Sequence, residues 1–121
     1  MTKRNGRFVK IDHELLHCQA WLALSLSSAV LLIEIWSRYN GRNNGRIAYS
    51  RRQACDRFGF GPARVVAAFA ELQDKGFIVA VKRGSFHLGT GEHSGTSWRL
   101  TMEPCNATPP TRDYLSWKPR E

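Results

Sequence analysis

The spacing of hydrophobic positions divides the chain into segments of helical period and short segments that alternate between apolar and polar residues. Apolar residues recur every three to four positions in four segments, whereas three shorter segments are rich in β-branched or aromatic residues. This order indicates a mainly α chain with a small antiparallel β-hairpin, an α+β fold. The predicted helices cover residues 12–22, 26–39, 51–58 and 62–75, and the predicted strands cover residues 46–49, 77–81 and 96–101.

The ends of two central helices are marked by capping signals. Ser50 and Gln53 have the spacing of a capping box, in which each side chain bonds the backbone N–H of the other residue. Gly59 is placed to end that helix, and Pro62 occupies the first position of the next, where its missing N–H has no cost. Gly76 then stops the second helix. These signals predict two helices joined by a tight turn.

The segment 26–39 is apolar nearly all round. It is either the central helix of the core or partly an oligomer interface, and Asn40-Gly41 supplies its stop. On helix 62–75, three apolar residues fall at positions i, i+4 and i+7 and are expected to pack on this helix and on the first strand. The predicted contacts join Val65, Phe69 and Leu72 to Ile33, Trp36 and Ile47.

A chain of 121 residues with 42% hydrophobic residues is expected to form one globular domain. Residues 1–11 carry four positive charges and no acid before Asp12, which indicates a flexible basic arm. Residues 12–103 form the predicted domain. Residues 104–121 contain four of the five prolines and are expected to be an extended tail, whose Tyr114, Leu115 and Trp117 can dock on an apolar surface.

The charge of the chain favours a polyanionic partner. Eighteen Lys and Arg against ten Asp and Glu give a net charge of +8, for which nucleic acid is the first expectation, before an acidic protein or a membrane surface. Seven arginines but only one acid, Asp56, lie between Arg38 and Arg64. The basic residues therefore concentrate around the predicted pair of short helices.

Residues 47–86, IAYSRRQACDRFGFGPARVVAAFAELQDKGFIVAVKRGSF, resemble the winged helix-turn-helix DNA-binding domain, including the MarR-type regulators. The resemblance extends over about residues 25–101 and rests on the capped helix, the glycine turn, the second helix, the segment Gly76-Phe77-Ile78 and the basic turn after it. It implies that helix 62–75 lies in the major groove of DNA, while residues 82–95 form a wing on the minor groove or the phosphates.

The resemblance and the charge pattern together predict a set of DNA-binding residues. Two cations in the first turn of a helix oppose the helix dipole, so Arg51 and Arg52 are either phosphate ligands or part of a solvated turn. Arg64 is the one residue on the outward side of helix 62–75 that can pair with a base edge. The predicted DNA-binding residues are Arg46, Ser50, Arg51, Arg52, Arg57, Ala63, Arg64, Ala67, Lys82, Arg83, Ser85 and His87.

The small residues on helix 62–75 leave a second hypothesis open. A sequence-specific repressor usually presents two or three polar readers, whereas this helix presents alanines and Val66. Either the protein recognises DNA modestly and by shape, or this face and the aromatic tail bind another protein. The second possibility defines a winged-helix protein-interaction module.

No motif predicts catalysis, a cofactor or a metal. His13 and His17 are four residues apart, but further zinc ligands at a compatible spacing are missing from the sequence. Three dispersed cysteines imply no disulfide framework and favour a reduced, cytoplasmic setting, and no apolar run suits a membrane span.

The expected function is therefore that of a double-stranded DNA-binding protein without enzymatic activity. It would act as a transcriptional regulator or as a replication or recombination accessory factor, associated with the nucleoid. The resemblance implies a bacterial, phage or plasmid context, such as a mobile genetic element. A homodimer and a monomer are both compatible with the sequence.

Overall fold

The structure, a computed structural model, describes residues 7–81 and 96–119. In these residues the chain forms five helices and a three-stranded antiparallel sheet, a small α+β fold. One turn of 3-10 helix follows at Asp113–Ser116. The elements are α1 (His13–His17), α2 (Gln19–Leu22), α3 (Leu26–Trp36), β1 (Ile47–Ala48), α4 (Arg51–Phe58), α5 (Pro62–Asp74), β2 (Ile78–Val81) and β3 (Ser97–Leu100).

The sheet has the order β1-β3-β2, with β3 in the centre. Ile47 is opposite Trp98 in the β1–β3 pair, and Ile78 is opposite Leu100 in the β2–β3 pair. The antiparallel pairing predicted for the last two strands is thus confirmed. Residues 82–95, predicted as the wing, lie outside the described residues.

The first predicted helix is two helices that meet at Cys18. This residue has an extended backbone, ends α1, and accepts a hydrogen bond from the Trp21 N–H through its sulfur at 3.4 Å. Leu15 and Ala20 are both buried. Because residues five apart in one continuous helix point about 140° away from each other, the break at Cys18 lets both side chains face the core.

Helix α3 buries one side and exposes the other. Leu32 and Ile35 are fully buried, whereas Ile33 is 38% exposed, on the same side as Leu26 and Val30. The predicted packing on Ile33 is therefore wrong: α3 is rotated so that Ile33 points outward. The helix also ends three residues before the predicted Tyr39, because the Tyr39 N–H bonds the carbonyl three residues back.

The predicted residues of α5 do form part of the core. Val65, Phe69 and Leu72 are buried, and the Phe69 ring stacks on Trp98 with 5.2 Å between ring centroids. The Trp98 indole N–H donates to the Tyr49 carbonyl at 3.0 Å. The helix is thereby fixed on the sheet with its opposite side facing solvent.

The ends of α4 and α5 follow the predicted capping signals. The Ser50 hydroxyl accepts from the Gln53 N–H at 3.0 Å, and the Gln53 side chain accepts from the Ser50 N–H at 2.9 Å. Gly59 ends α4 with a left-handed backbone at φ +73°, and Pro62 begins α5. The two helices are therefore joined by a turn of three residues, 59–61.

Part of the C-terminal segment packs on the core. Tyr114, in the 3-10 turn, is buried and stacks on Phe77 with 5.1 Å between ring centroids. Arg112 lies 3.6 Å from the carboxylate of Asp12 and links this segment to the residue before α1. Trp117 is half-buried, and the Lys75 ammonium lies 4.6 Å from the centre of its ring.

Candidate nucleic-acid interface

The first turn of α4 presents Arg51 and Arg52 to solvent. Neither side chain bonds any of the described residues. The hydroxyl oxygen of Ser50 accepts the capping bond from the Gln53 N–H, and the hydroxyl makes no donated hydrogen bond within the described residues. The turn therefore offers two guanidinium groups beside backbone N–H groups that point out of the helix.

Arg46 lies immediately before β1 and is exposed. Its guanidinium donates to the carbonyl of Arg42 at 3.0 Å, within the loop that leads into the strand. That loop is shaped by Asn40, whose side-chain oxygen accepts from two backbone N–H groups at 2.8 and 3.0 Å. Arg46 is thus supported by an ordered turn and keeps its positive charge at the surface.

Two arginines flank an aromatic pair at the turn between α4 and α5. Phe58 and Phe60 stack with 5.2 Å between ring centroids and 20° between ring planes. The Arg64 guanidinium lies 5.1 Å from the centre of the Phe60 ring, and that of Arg57 lies 5.9 Å from the centre of the Phe58 ring. Stacking of this kind restricts the conformations of long cationic side chains.

The outward side of α5 is small and mostly uncharged. Ala63, Arg64 and Ala67 are exposed, and Val66 is 43% exposed. An open groove of about 650 Å³ runs between this helix and the start of α3. Its lining includes Arg64 and Ala67 near the beginning of α5 and Glu71 and Asp74 near its end. Positive charge is therefore confined to the first half of α5.

Glu71 closes the end of this groove through bonds to α3. Its carboxylate accepts from the hydroxyl of Ser28 at 2.6 Å, from that of Ser25 at 3.0 Å, and from the ammonium of Lys75 at 2.9 Å. Burial alone would raise the pKa of Glu71, but these hydrogen bonds outweigh it and lower the pKa to about 2. Glu71 is therefore a structural carboxylate.

Glu34 was not identified from the sequence, although it forms ion pairs with two of the surrounding arginines. Its carboxylate lies 3.3 Å from Arg57 Nε and 3.3 Å from a terminal nitrogen of Arg38, and accepts from the Tyr49 hydroxyl at 3.2 Å. Burial, followed by the charge of Glu34, raises the pKa of Tyr49 to about 12. One acid within the apolar segment 31–36 was the available signal for such a contact.

The predicted site residues of the described chain occupy three consecutive segments. Arg46 precedes β1, the set from Ser50 to Arg57 belongs to α4 and its cap, and the set from Ala63 to Ala67 belongs to α5. Of these, Arg57 is paired with an acid. Four further predicted residues, Lys82, Arg83, Ser85 and His87, lie outside the described residues, as does Phe86.

Within residues 7–81 and 96–119, no group of three or more His, Cys, Asp and Glu side chains is placed to hold a metal ion. The rings of His13 and His17 are 6.1 Å apart, and Cys18, Cys55 and Cys105 are half-buried free thiols. No helix in this part of the chain is long and apolar enough to cross a membrane. Comparison of the chain with protein-family models, with curated proteins and with solved structures finds no match.

Proposed function

We propose that the protein is a winged helix-turn-helix protein that binds double-stranded DNA. Helix α5 would enter the major groove with its first half, the beginning of α4 would contact phosphates, and residues 82–95 would form the wing. The succession α3, β1, α4, α5, β2, β3 agrees with the order of elements on which the resemblance rests. The antiparallel pair β2–β3 brackets the segment assigned to the wing.

The observation that carries the proposal is a set of exposed, unneutralised arginines on adjoining segments. Arg46, Arg51, Arg52 and Arg64 form no ion pair with a carboxylate of the described residues, whereas Arg38, Arg57 and Arg112 each do. Concentrated charge without internal partners is favourable beside a polyanion, because each phosphate contact releases condensed counterions. It has no comparable advantage inside an isolated, strongly basic chain.

The small residues of α5 bear on the kind of DNA recognition. Arg64 can pair with guanine, while Ala63 and Ala67 can at most contact thymine methyl groups. Specificity would then be modest and come mainly from DNA shape. This suits a regulator of modest specificity or a replication or recombination accessory factor of a bacterium, phage or plasmid. A homodimer would use the exposed side of α3, at Leu26, Val30 and Ile33.

The same uncharged surface supports a second candidate, a protein-interaction module. Val66 is 43% exposed beside three exposed alanines of α5. Such a face suits contact with another protein better than contact with phosphate. Tyr114, by contrast, is buried in its own chain and is not presented to a partner.

The two candidates are separated by removing the unpaired charge of α4. The double variant Arg51→Ala with Arg52→Ala should bind every duplex at least about tenfold more weakly, and its plot of log affinity against log salt should be shallower by about 2. Fluorescence anisotropy with several labelled 25-base-pair duplexes measures both quantities. The matched control is Lys10→Ala with Lys118→Ala, which removes two exposed charges from the terminal segments.

Because both double variants have the same net charge, a purely long-range effect would weaken binding equally. Equal losses in the two variants, or no loss in the α4 variant, would refute the assignment of α4 to the phosphates. Failure of the unaltered protein to bind any duplex would instead favour the protein-interaction module.

A further inference from the structure

Arg57 is held through one nitrogen of its guanidinium. Its Nε donates to the Glu34 carboxylate at 3.3 Å, and this is the one hydrogen bond of the side chain within the described residues. The side chain remains 64% exposed. The two terminal nitrogens form one of the edges through which a guanidinium can bind phosphate in a bidentate manner, and they make no hydrogen bond inside the described part of the protein.

The carboxylate that holds Arg57 is itself fixed. Glu34 is 11% exposed and accepts from the Tyr49 hydroxyl at 3.2 Å. The oxygen that accepts from Tyr49, Oε2, also lies 3.3 Å from Arg38, whereas Oε1 accepts from Arg57. The Arg38 guanidinium is 4.9 Å from the centre of the Tyr49 ring. Because Tyr49 is buried directly before the cap of α4, this cluster joins α3 to both ends of α4.

The Phe58 ring restricts Arg57 from another side, at 5.9 Å from the guanidinium carbon. A hydrogen bond at Nε and an aromatic ring beside the guanidinium reduce the number of conformations open to the side chain before any ligand binds. Restricting a group beforehand lowers the entropy cost of binding. An exposed ion pair without this support would gain little from its Coulomb attraction.

We infer that Glu34 is a positioning residue that orients the terminal nitrogens of Arg57 toward a DNA phosphate. This inference rests on the proposed function, and it assigns Arg57 a contact that Arg51 and Arg52 do not share. Glu34 does not touch DNA in this account. It acts through Arg57 and increases the affinity for DNA, although its carboxylate is negatively charged like the phosphate.

A double-mutant cycle on Glu34 and Arg57 tests the inference, with affinity for a 25-base-pair duplex measured by anisotropy at fixed salt. Arg57→Ala should weaken binding about tenfold in the unaltered background, as expected for charge-assisted hydrogen bonds. In the Glu34→Ala background the same change should weaken binding about twofold or less. Glu34→Gln, which keeps an oxygen for Nε, should stay within about twofold of the unaltered protein.

The charge control is Asp113→Asn, which removes one exposed carboxylate from the 3-10 turn. An equal loss from Arg57→Ala in both backgrounds would overturn the inference. So would tighter binding by Glu34→Ala than by Asp113→Asn, since Glu34 would then compete with DNA for Arg57. Both results are obtained with a protein that binds DNA, whereas failure of the unaltered protein to bind any duplex would refute the proposed function itself.

Arg57→Lys provides a test that does not depend on the folding of Glu34 variants. It keeps the positive charge but lacks Nε and the paired terminal nitrogens. We expect it to lose at least half of the free energy lost by Arg57→Ala. Affinity equal to that of the unaltered protein would show that charge alone is sufficient and would overturn the positioning role.

Discussion

Glu71 joins the end of α5 to the beginning of α3 through three hydrogen bonds, two from Ser25 and one from Ser28, and accepts a fourth from Lys75 at the end of α5 itself. Ser28 is completely buried, and its hydroxyl makes the shortest of these bonds, which is partly buried. This single carboxylate holds the two longest helices together at the groove beside the proposed recognition surface.

Replacing Glu71 with Gln should lower the free energy of unfolding by about 2 kcal/mol at pH 7, after allowance for partial exposure of the group. Because folding lowers the pKa of Glu71 from its ordinary 4.5 to about 2, its contribution is complete above about pH 4.5 and is lost as the pH falls toward 2. Urea denaturation at pH 7, 4 and 3 should show that the difference in free energy of unfolding between the variant and the unaltered protein becomes smaller as the pH falls.

Asp74→Asn is the matched control, since this exposed carboxylate makes no hydrogen bond or ion pair within the described residues. It should change stability by no more than about 0.5 kcal/mol at any of the three pH values. If the loss of unfolding free energy in Glu71→Gln stays constant from pH 7 to pH 3, the carboxylate charge is not the stabilising feature.

These polar contacts could not be predicted from the sequence, because the partners are far apart along the chain. Glu34 meets Arg57 across 23 residues of the chain, and Ser28 meets Glu71 across 43. Nothing in local spacing fixes such pairs, because they depend on how α3 is rotated. The error over Ile33 has the same origin: a helix that is apolar nearly all round gives no period from which to deduce its buried side.

At the scale of elements, Gly76 makes the turn from α5 into β2 and also admits the C-terminal segment. Its φ of +86° lies in the left-handed region. A Cβ placed there would lie 2.8 Å from the backbone carbon of Asp113 and 2.9 Å from the backbone nitrogen of Tyr114. The absence of a side chain is thus required both by the turn and by the close approach of the 3-10 helix.

Gly76→Ala should therefore destabilise the protein by about 2–4 kcal/mol, the sum of a left-handed alanine and a backbone clash. Gly59→Ala is the control. Its φ of +73° imposes the same conformational cost, but nothing lies within 4 Å of the added Cβ, so about 1–2 kcal/mol is expected. Thermal or urea denaturation measures both. If Gly76→Ala and Gly59→Ala lose equal unfolding free energy, the C-terminal segment does not pack on Gly76.

Local signals predicted the elements around the turn well, because capping acts within four residues. The capping box at Ser50, the left-handed Gly59 and the initial Pro62 all occur as predicted. The break at Cys18 was missed, since its cause is the burial of Leu15 and Ala20 by distant residues. The 3-10 turn at Tyr114 was missed for the same reason, as its ring is held by Phe77.

At the scale of the whole molecule, four of the predicted DNA-binding arginines have no acid partner in the described chain. Arg46, Arg51, Arg52 and Arg64 lie between the loop before β1 and the first half of α5, in the same stretch as the paired Arg57. Arg112 is paired with Asp12 and Glu14 where the terminal segments meet. The segments from the loop before β1 to α5 therefore present four guanidinium groups that no carboxylate of the described chain neutralises.

The central claim, that this concentrated charge binds duplex DNA, is tested most directly by anisotropy of a labelled random 25-base-pair duplex at 50 and 200 mM salt. If four arginines each neutralise a phosphate, affinity should fall about 100-fold over this range. Competition by unlabelled fragments would then measure sequence preference. Absence of binding at 50 mM, or binding that does not depend on salt, would contradict the claim.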